Sequence, residues 1–263
     1  MVTETSNRID KVFQEKKQNL LSVYFTAGFP QLHDTTAIME YLEEGGADFI
    51  EIGVPFSDPM ADGPTIQQSN FQSLKNGMTV DLLFKQLADI RQKVSIPIIL
   101  MGYFNPMLQY GLEKFCAACE KAGVDGLIVP DLPMIDYLEI YKATFDQFGI
   151  YNIFLITPQT SPERIRLIDE NSHGFIYMVS STSITGAKNE ISDKQVEYFN
   201  RVKSYGLRNP LLIGFGISNH QTFSTACQYA SGAIIGSAFI KVLRQSNNLK
   251  EDVISYIKSV KGL

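Results

Sequence analysis

The stretch 47–67, ADFIEIGVPFSDPMADGPTIQ, carries two carboxylates suited to proton chemistry, Glu51 and Asp62, eleven positions apart. Period-two alternation places Phe49, Glu51 and Gly53 on one face of a strand and Ile50 and Ile52 on the other. If the isoleucine face packs on helices, Glu51 points into the middle of the fold, where an ionised carboxylate is costly. Either a lysine or arginine pairs with it there, or it does chemistry; a strand-end acid followed by a stiff loop favours the second reading. The stiffness comes from Pro55, Pro59 and Pro64 with Gly53 and Gly63, a composition that opposes any regular element. Asp62 sits on that loop, and Asp58 reads as a turn or cap residue.

An acid held this way needs a frame, and the rest of the chain supplies a repeating one. Strands are expected at 20–27, 47–53, 96–101, 125–130, 151–157, 174–180, 210–215 and 231–236. Helices are expected between them, at 34–45, about 80–93, 112–122, 135–148, 162–171, 193–206 and 219–229, with a last one near 249–260. A short helix over 6–17, capped by Ser6 or Asn7, precedes the first strand and closes one end of the fold. Short strands apolar on both faces, alternating with amphipathic helices, demand a parallel sheet with right-handed crossovers. Eight such units close into a (β/α)8 TIM barrel, an α/β fold with an extra N-terminal helix, here one domain over 1–263. A doubly wound open sheet is the alternative; no Gly-x-Gly-x-x-Gly follows the first strand, which weakens its dinucleotide-binding version.

Composition excludes several function classes. With 263 residues, 44% hydrophobic and 19% charged, the chain can bury one large core. A net charge of −5 and the lack of a basic run leave nothing for nucleic acid to bind. The sequence has no leader-like or membrane-spanning apolar run, so a soluble cytoplasmic protein is expected. Cys116, Cys119 and Cys227 make an odd count, against a disulfide framework, and the first two fall three apart on a helix face, as core residues do. His33, His173 and His220 stand apart without metal-ligand spacing, and no metal is expected.

An anion site is expected at the other end of the chain. In a barrel of this kind the loops after the last two strands often hold a phosphate. Here they read IGFGIS (213–218) and IGSA (235–238). Glycine lets the backbone approach an anion, and N–H groups opening a helix point at it, so an acidic protein can bind phosphate without lysines. Loop six, SSTSITGAKN (180–189), is polar and glycine-containing, with the makings of a lid.

These runs together, with GYFNP (102–106), GVDGLIVPDLP (123–133), ITGAK (184–188) and GSAFIK (236–241), resemble the tryptophan synthase alpha chain family over essentially the whole length. The resemblance implies a lyase that cleaves indole-3-glycerol phosphate to indole and glyceraldehyde 3-phosphate in tryptophan biosynthesis. It also implies docking, as an alpha2beta2 tetramer, on a beta chain that carries pyridoxal phosphate, with no cofactor in this chain. Position by position, Glu51 and Asp62 match the family's catalytic acids and Tyr177 a site tyrosine. Thr185 and Gly186 match the lid, Gly186 also bordering the phosphate cradle of Gly216, Gly236 and Ser237. Tyr24, Met101, Ile128 and Phe215 fall where the family lines its indole pocket, Tyr24 being more polar than the phenylalanine often found there. Pro55, Phe56, Asp58 and Pro59, with Asn105 and Pro106, fall where it meets the partner. One departure is Ser183, where the lid of the family usually has glycine, a stiffer choice at a hinge.

The residues fit that chemistry on their own terms. Such a cleavage needs the ring carbon protonated, the ring N–H stabilised as it turns acidic, and a hydroxyl proton removed, which two carboxylates can do. Desolvation should raise the pKa of Glu51 and suit it to shuttle protons, with Asp62 on a wetter loop staying ionised. Other phosphate-binding barrels compete: a metal-dependent epimerase wants clustered histidines and acids, and a Schiff-base aldolase a strand lysine, whereas Lys188 and Lys241 lie in or after loops. From another class, a regulatory subunit without turnover would keep the barrel, but has no need of both acids.

Overall fold

The strands are apolar on both faces because each is covered twice, by helices outside and by inward side chains of the other strands. The computed structural model describes residues 7–60, 62–180, 192–214 and 216–263. Strands β1 (Leu20–Thr26), β2 (Phe49–Gly53), β3 (Ile98–Met101), β4 (Gly126–Ile128), β5 (Tyr151–Asn152), β6 (Leu155–Ile156), β7 (Ile176–Val179), β8 (Leu211–Gly214) and β9 (Gly232–Ile235) form one sheet. Their order is β5-β4-β3-β2-β1-β9-β8-β7-β6, with every pairing parallel. The two ends of that order, β5 and β6, are successive pieces of a single run. The Ile153 N–H donates to Leu127 O at 2.8 Å on one side, and the Tyr177 N–H to Phe154 O at 2.9 Å on the other. The sheet therefore closes on itself as a (β/α)8 barrel, its fifth strand divided where it changes partner.

The alternation read in 49–53 holds. Ile50 and Ile52 join the large core between sheet and helices, and Phe49 joins a smaller cluster inside the barrel with Ile99, Ile128, Phe175 and Tyr177. The short N-terminal helix Arg8–Glu15 is opened by Asn7, whose side chain accepts the Ile9 N–H at 2.9 Å. Its buried Ile9 and Phe13 plug the lower end of the barrel, the Phe13 ring lying 5.4 Å from Phe49 and 6.1 Å from Phe175. Helix Thr35–Gly45 follows Asp34 and ends on Gly46 in the left-handed region (φ 95°). Cys116 and Cys119 are buried on helix Leu112–Ala122, as core residues.

The structure corrects the expected element map in three ways. Helices Pro64–Lys75, Phe104–Tyr110 and Ser237–Gln245 occupy stretches not expected to be helical. Pro64 is the first residue of its helix, where the missing N–H costs nothing and φ is already set, so this proline starts an element instead of breaking one. The helix expected over 80–93 stops at Leu87 and is followed by a 3-10 turn, Ile90–Gln92. The one expected over 135–148 is interrupted by a π-helical turn, Tyr137–Tyr141.

Candidate active site

Strand register puts Tyr24, Glu51 and Ile99 in one row across β1, β2 and β3. Glu51 is fully buried. The Ser22 hydroxyl donates to Glu51 Oε1 at 2.6 Å, and Glu51 Oε2 has no hydrogen-bond partner among the described residues. Burial pushes the Glu51 carboxyl up to about 7, with the Ser22 hydrogen bond pulling weakly the other way. A buried carboxyl with one oxygen unsatisfied and a pKa near neutrality can both give and take a proton. Among the described residues no cation pairs with Glu51.

Asp62 lies at the end of the loop after β2, anchored by its N–H to Pro59 O at 3.0 Å and by Gln67 Nε2 donating to Asp62 O at 2.9 Å. Its carboxylate accepts from the Tyr103 hydroxyl at 3.4 Å. Desolvation pushes Asp62 up to about 6, against the lowering effect of that hydrogen bond. Asp62 is thus less wet than its loop position suggested, and its pKa still falls below that of Glu51. Two buried tyrosines complete the surround. Burial raises the phenols of Tyr24 and Tyr177 first, and the nearby charges of Asp62 and Glu51 add to the effect on both. Both rings use a glycine slot: a Cβ on Gly53 would overlap the Tyr24 hydroxyl, and one on Gly214 the Tyr177 hydroxyl.

Met101 and Ile128 face one another across β3 and β4 and pack with the interior cluster, Ile128 fully buried and Met101 half-buried. Tyr24, on β1, is buried as well. Gly216 follows β8 with φ 82° and open space where a side chain would be. Gly236 caps the nine-residue helix Ser237–Gln245, so first-turn N–H groups open beside Ser237 at the end of β9. A Cβ on Gly236 would touch the Tyr24 ring at 3.4 Å and Ile66 at 3.7 Å, so this glycine lies beside the carboxylate row. Thr185, Gly186, Ser183 and Phe215, expected in the lid, cradle and pocket, lie outside the described residues.

The expected partner-facing residues divide by exposure. Asp58 and Asn105 are exposed, Phe56, Pro59 and Pro106 half-buried, and Pro55 buried beneath the loop. Pro55 thus stiffens the loop from below, and the exposed Asp58 and Asn105 are the most accessible of the six. Sequence reasoning missed Ser22 and Tyr103 as neighbours of the acids. Ser22 had a signal, a polar residue in LLSVYFT that shares its face with Tyr24 and Thr26. Tyr103 had only the aromatic of GYFNP just past a strand end. Among the described residues no group of three or more His, Cys, Asp or Glu could hold a metal ion, and no helix is long and apolar enough to cross a membrane.

Residues 10–262 match the family model for the tryptophan synthase alpha chain. The tryptophan synthase alpha chain of Flavobacterium johnsoniae is 58% identical over 93% of this chain and 96% of its own length. That of Christiangramia forsetii is 56% identical over 98% and 99%. The structure superposes on tryptophan synthase of Mycobacterium tuberculosis with a TM-score of 0.88 at 31% identity, covering 98% of each chain. The alpha subunit of Legionella pneumophila gives a TM-score of 0.87 at 31% identity, again over 98% of each. With a closed barrel, a buried carboxyl on its second strand, another on the loop that follows, and relatives this similar over nearly their full lengths, the chain belongs to the tryptophan synthase alpha chain family, carbon–carbon lyases that cleave indole-3-glycerol phosphate to indole and glyceraldehyde 3-phosphate.

Proposed function

We propose that Glu51 and Asp62 divide the work of this cleavage, with Glu51 as the proton shuttle. Protonated Glu51 gives its proton to the ring carbon that bears the glycerol chain, and positive charge develops on the ring nitrogen. Ionised Asp62 accepts the ring N–H and stabilises that charge. Glu51, now a carboxylate, takes the proton of the adjacent hydroxyl as the carbon–carbon bond breaks. The bonding pair returns to the ring, the hydroxyl carbon becomes the aldehyde, and Glu51 ends as it began. The observation that carries this reading is the fully buried Glu51 with, among the described residues, one hydroxyl partner and a free second oxygen. Neither step asks for a metal or cofactor from this chain.

Tyr24, Met101, Ile128 and Phe215 take the indole ring, and Tyr177 walls the site on the β7 side, close to both acids. Gly216, Gly236 and Ser237, with Gly186, cradle the phosphate through backbone N–H groups, and Thr185 belongs to the lid that closes over it. Residues 1–263 act as one domain in the cytoplasm. The partner is a beta chain, met through Phe56, Asp58, Pro59, Asn105 and Pro106 in an alpha2beta2 tetramer, and pyridoxal phosphate belongs to that partner.

Required protonation states set the pH dependence. Turnover needs Asp62 ionised and Glu51 protonated, so kcat/KM falls below about 6 and again above about 7. The deciding experiment is single-turnover cleavage of indole-3-glycerol phosphate by the full chain, with Glu51→Gln and Asp62→Asn beside it. Loss of cleavage in both is expected; a Glu51→Gln protein with wild-type turnover would overturn the reading.

A further inference from the structure

Two loops above the barrel, the one after β2 and the one after β3, meet through one aromatic side chain. Tyr103 stands just before helix Phe104–Tyr110, with its backbone held on both flanks. The Gly102 N–H donates to Ile128 O at 3.1 Å, and the Phe104 N–H donates to Asp131 Oδ1 at 2.9 Å. Gly102 also lets the loops approach: a Cβ there would lie 3.0 Å from Val54 Cβ. From this fixed base the Tyr103 ring lies against Phe56, centroids 5.2 Å apart and planes at 36°, and its hydroxyl reaches Asp62 Oδ2 at 3.4 Å. Asp62 itself sits on the proline-stiffened loop, with Met60 beside it 84% exposed. A carboxylate on such a loop needs an anchor on the barrel to keep its aim.

We propose that Tyr103 is a positioning residue for the reaction: its hydroxyl aims the Asp62 carboxylate at the ring N–H, and the Phe56 ring seats it. This rests on the reading of Asp62 as the group that accepts the ring N–H. The 3.4 Å separation is long for a hydroxyl-to-carboxylate bond, as expected of a site that tightens around its substrate. The carboxylates of Asp62 and of Glu51, from β2, both act on the buried phenols of Tyr24, from β1, and Tyr177, from β7. The phenols are neutral through the assay range, so Glu51 and Asp62 are the two of these that titrate within it. By donating to ionised Asp62, Tyr103 opposes the rise that burial imposes.

The test compares Tyr103→Phe, which keeps the ring on Phe56 and removes only the hydroxyl, with Phe56→Leu, which keeps the hydroxyl and removes its seat. In the full chain, Tyr103→Phe should lower kcat roughly ten-fold, the worth of one hydrogen bond to a charged group, and move the acid limb of kcat/KM to higher pH. Phe56→Leu should move both the same way by less. Affinity for glycerol 3-phosphate should stay at the wild-type value in both, which separates aim from folding or phosphate binding. A Tyr103→Phe protein with wild-type kcat and an unmoved acid limb overturns the proposal. Asp62→Asn is the control: if it cleaves at the wild-type rate, the assigned role of Asp62 falls first and this one with it. If Asp62→Asn is impaired and Tyr103→Phe is not, only the positioning role falls.

Discussion

At the lower end of the barrel Asp125, 3% exposed, lies between Arg8 at 2.9 Å and Arg91 at 2.5 Å and accepts the Ile98 N–H at 2.8 Å. Nearby Asp48 accepts from Lys16 at 2.8 Å, Lys261 at 2.7 Å and the Leu21 N–H at 2.7 Å. At the upper end, on β2 and the loop that follows it, the accounting is different. Glu51 has one hydroxyl for company and Asp62 one distant phenol, with no cation bonded to either carboxylate among the described residues. Acids of one chemical class therefore stand in opposite electrostatic surroundings. Below, each buried charge is matched by cations and amides, and ties the N-terminal helix, the C-terminal helix and strand starts together. Above, the cost of burying a carboxylate is left standing, and it emerges as pKa values near the pH at which protons must move.

This contrast can be broken most sharply at its two extremes. Glu51→Gln should lower single-turnover cleavage by at least roughly 10²- to 10⁴-fold, the contribution of a general acid–base group, with phosphate-ester binding retained. Asp62→Asn should lose less, because an amide oxygen still accepts the ring N–H; a larger loss than for Glu51→Gln would reverse the assigned roles. Asp125→Ala should do the reverse, costing about 3 kcal/mol in a denaturant titration by stranding Arg91 and the Ile98 N–H, while turnover per folded molecule stays at the wild-type value. A catalytic defect in Asp125→Ala would show that the two ends are not independent.

Stability against pH sharpens the comparison further. The folded-state pKa of Glu51 is raised from 4.5 to about 7, so the protonated form is the one folding favours. Its contribution is fully present below 4.5, declines as pH rises toward 7, and leaves a constant penalty above that. Removing the acid should therefore stabilise the fold at pH 8 by at most about 3 kcal/mol, and by nothing at pH 4. Equal melting shifts at both pH values would mean that the carboxyl is not strained by burial.

Smaller effects test the rim. Gly236→Val and Gly216→Val should weaken substrate binding, the second also straining a backbone at φ 82°. Inorganic phosphate should protect the wild type against heat and protect neither variant; equal protection of all three would move the phosphate elsewhere. Reversing the charge of exposed Asp58 should weaken co-purification with the beta chain and its activation of cleavage while leaving the melting temperature unchanged, and unchanged co-purification and activation would remove Asp58 from the contact.

What the sequence determined by itself was whatever depends on period and on local chemistry. Alternation in FIEIG put Glu51 inside and the isoleucines against helices, and eight apolar runs separated by helical ones implied a closed parallel barrel. Asn7 marked a helix start because a cap is made by a residue next to the helix in the chain. Tertiary structure decided what depends on residues distant in sequence meeting in space. It turned Pro64 from a loop residue into a helix start, divided the fifth strand where its partner changes, and buried Pro55. It also chose which acids acquired cations. Asp125 and Glu51 are both acids beside apolar residues in the sequence, and only folding brings Arg8, 117 residues away, to the first while leaving Glu51 Oε2 with no partner among the described residues. Whether a buried charge is neutralised is set by the field of the whole fold, so the difference between a structural carboxylate and a working one is not written in either residue's own neighbourhood.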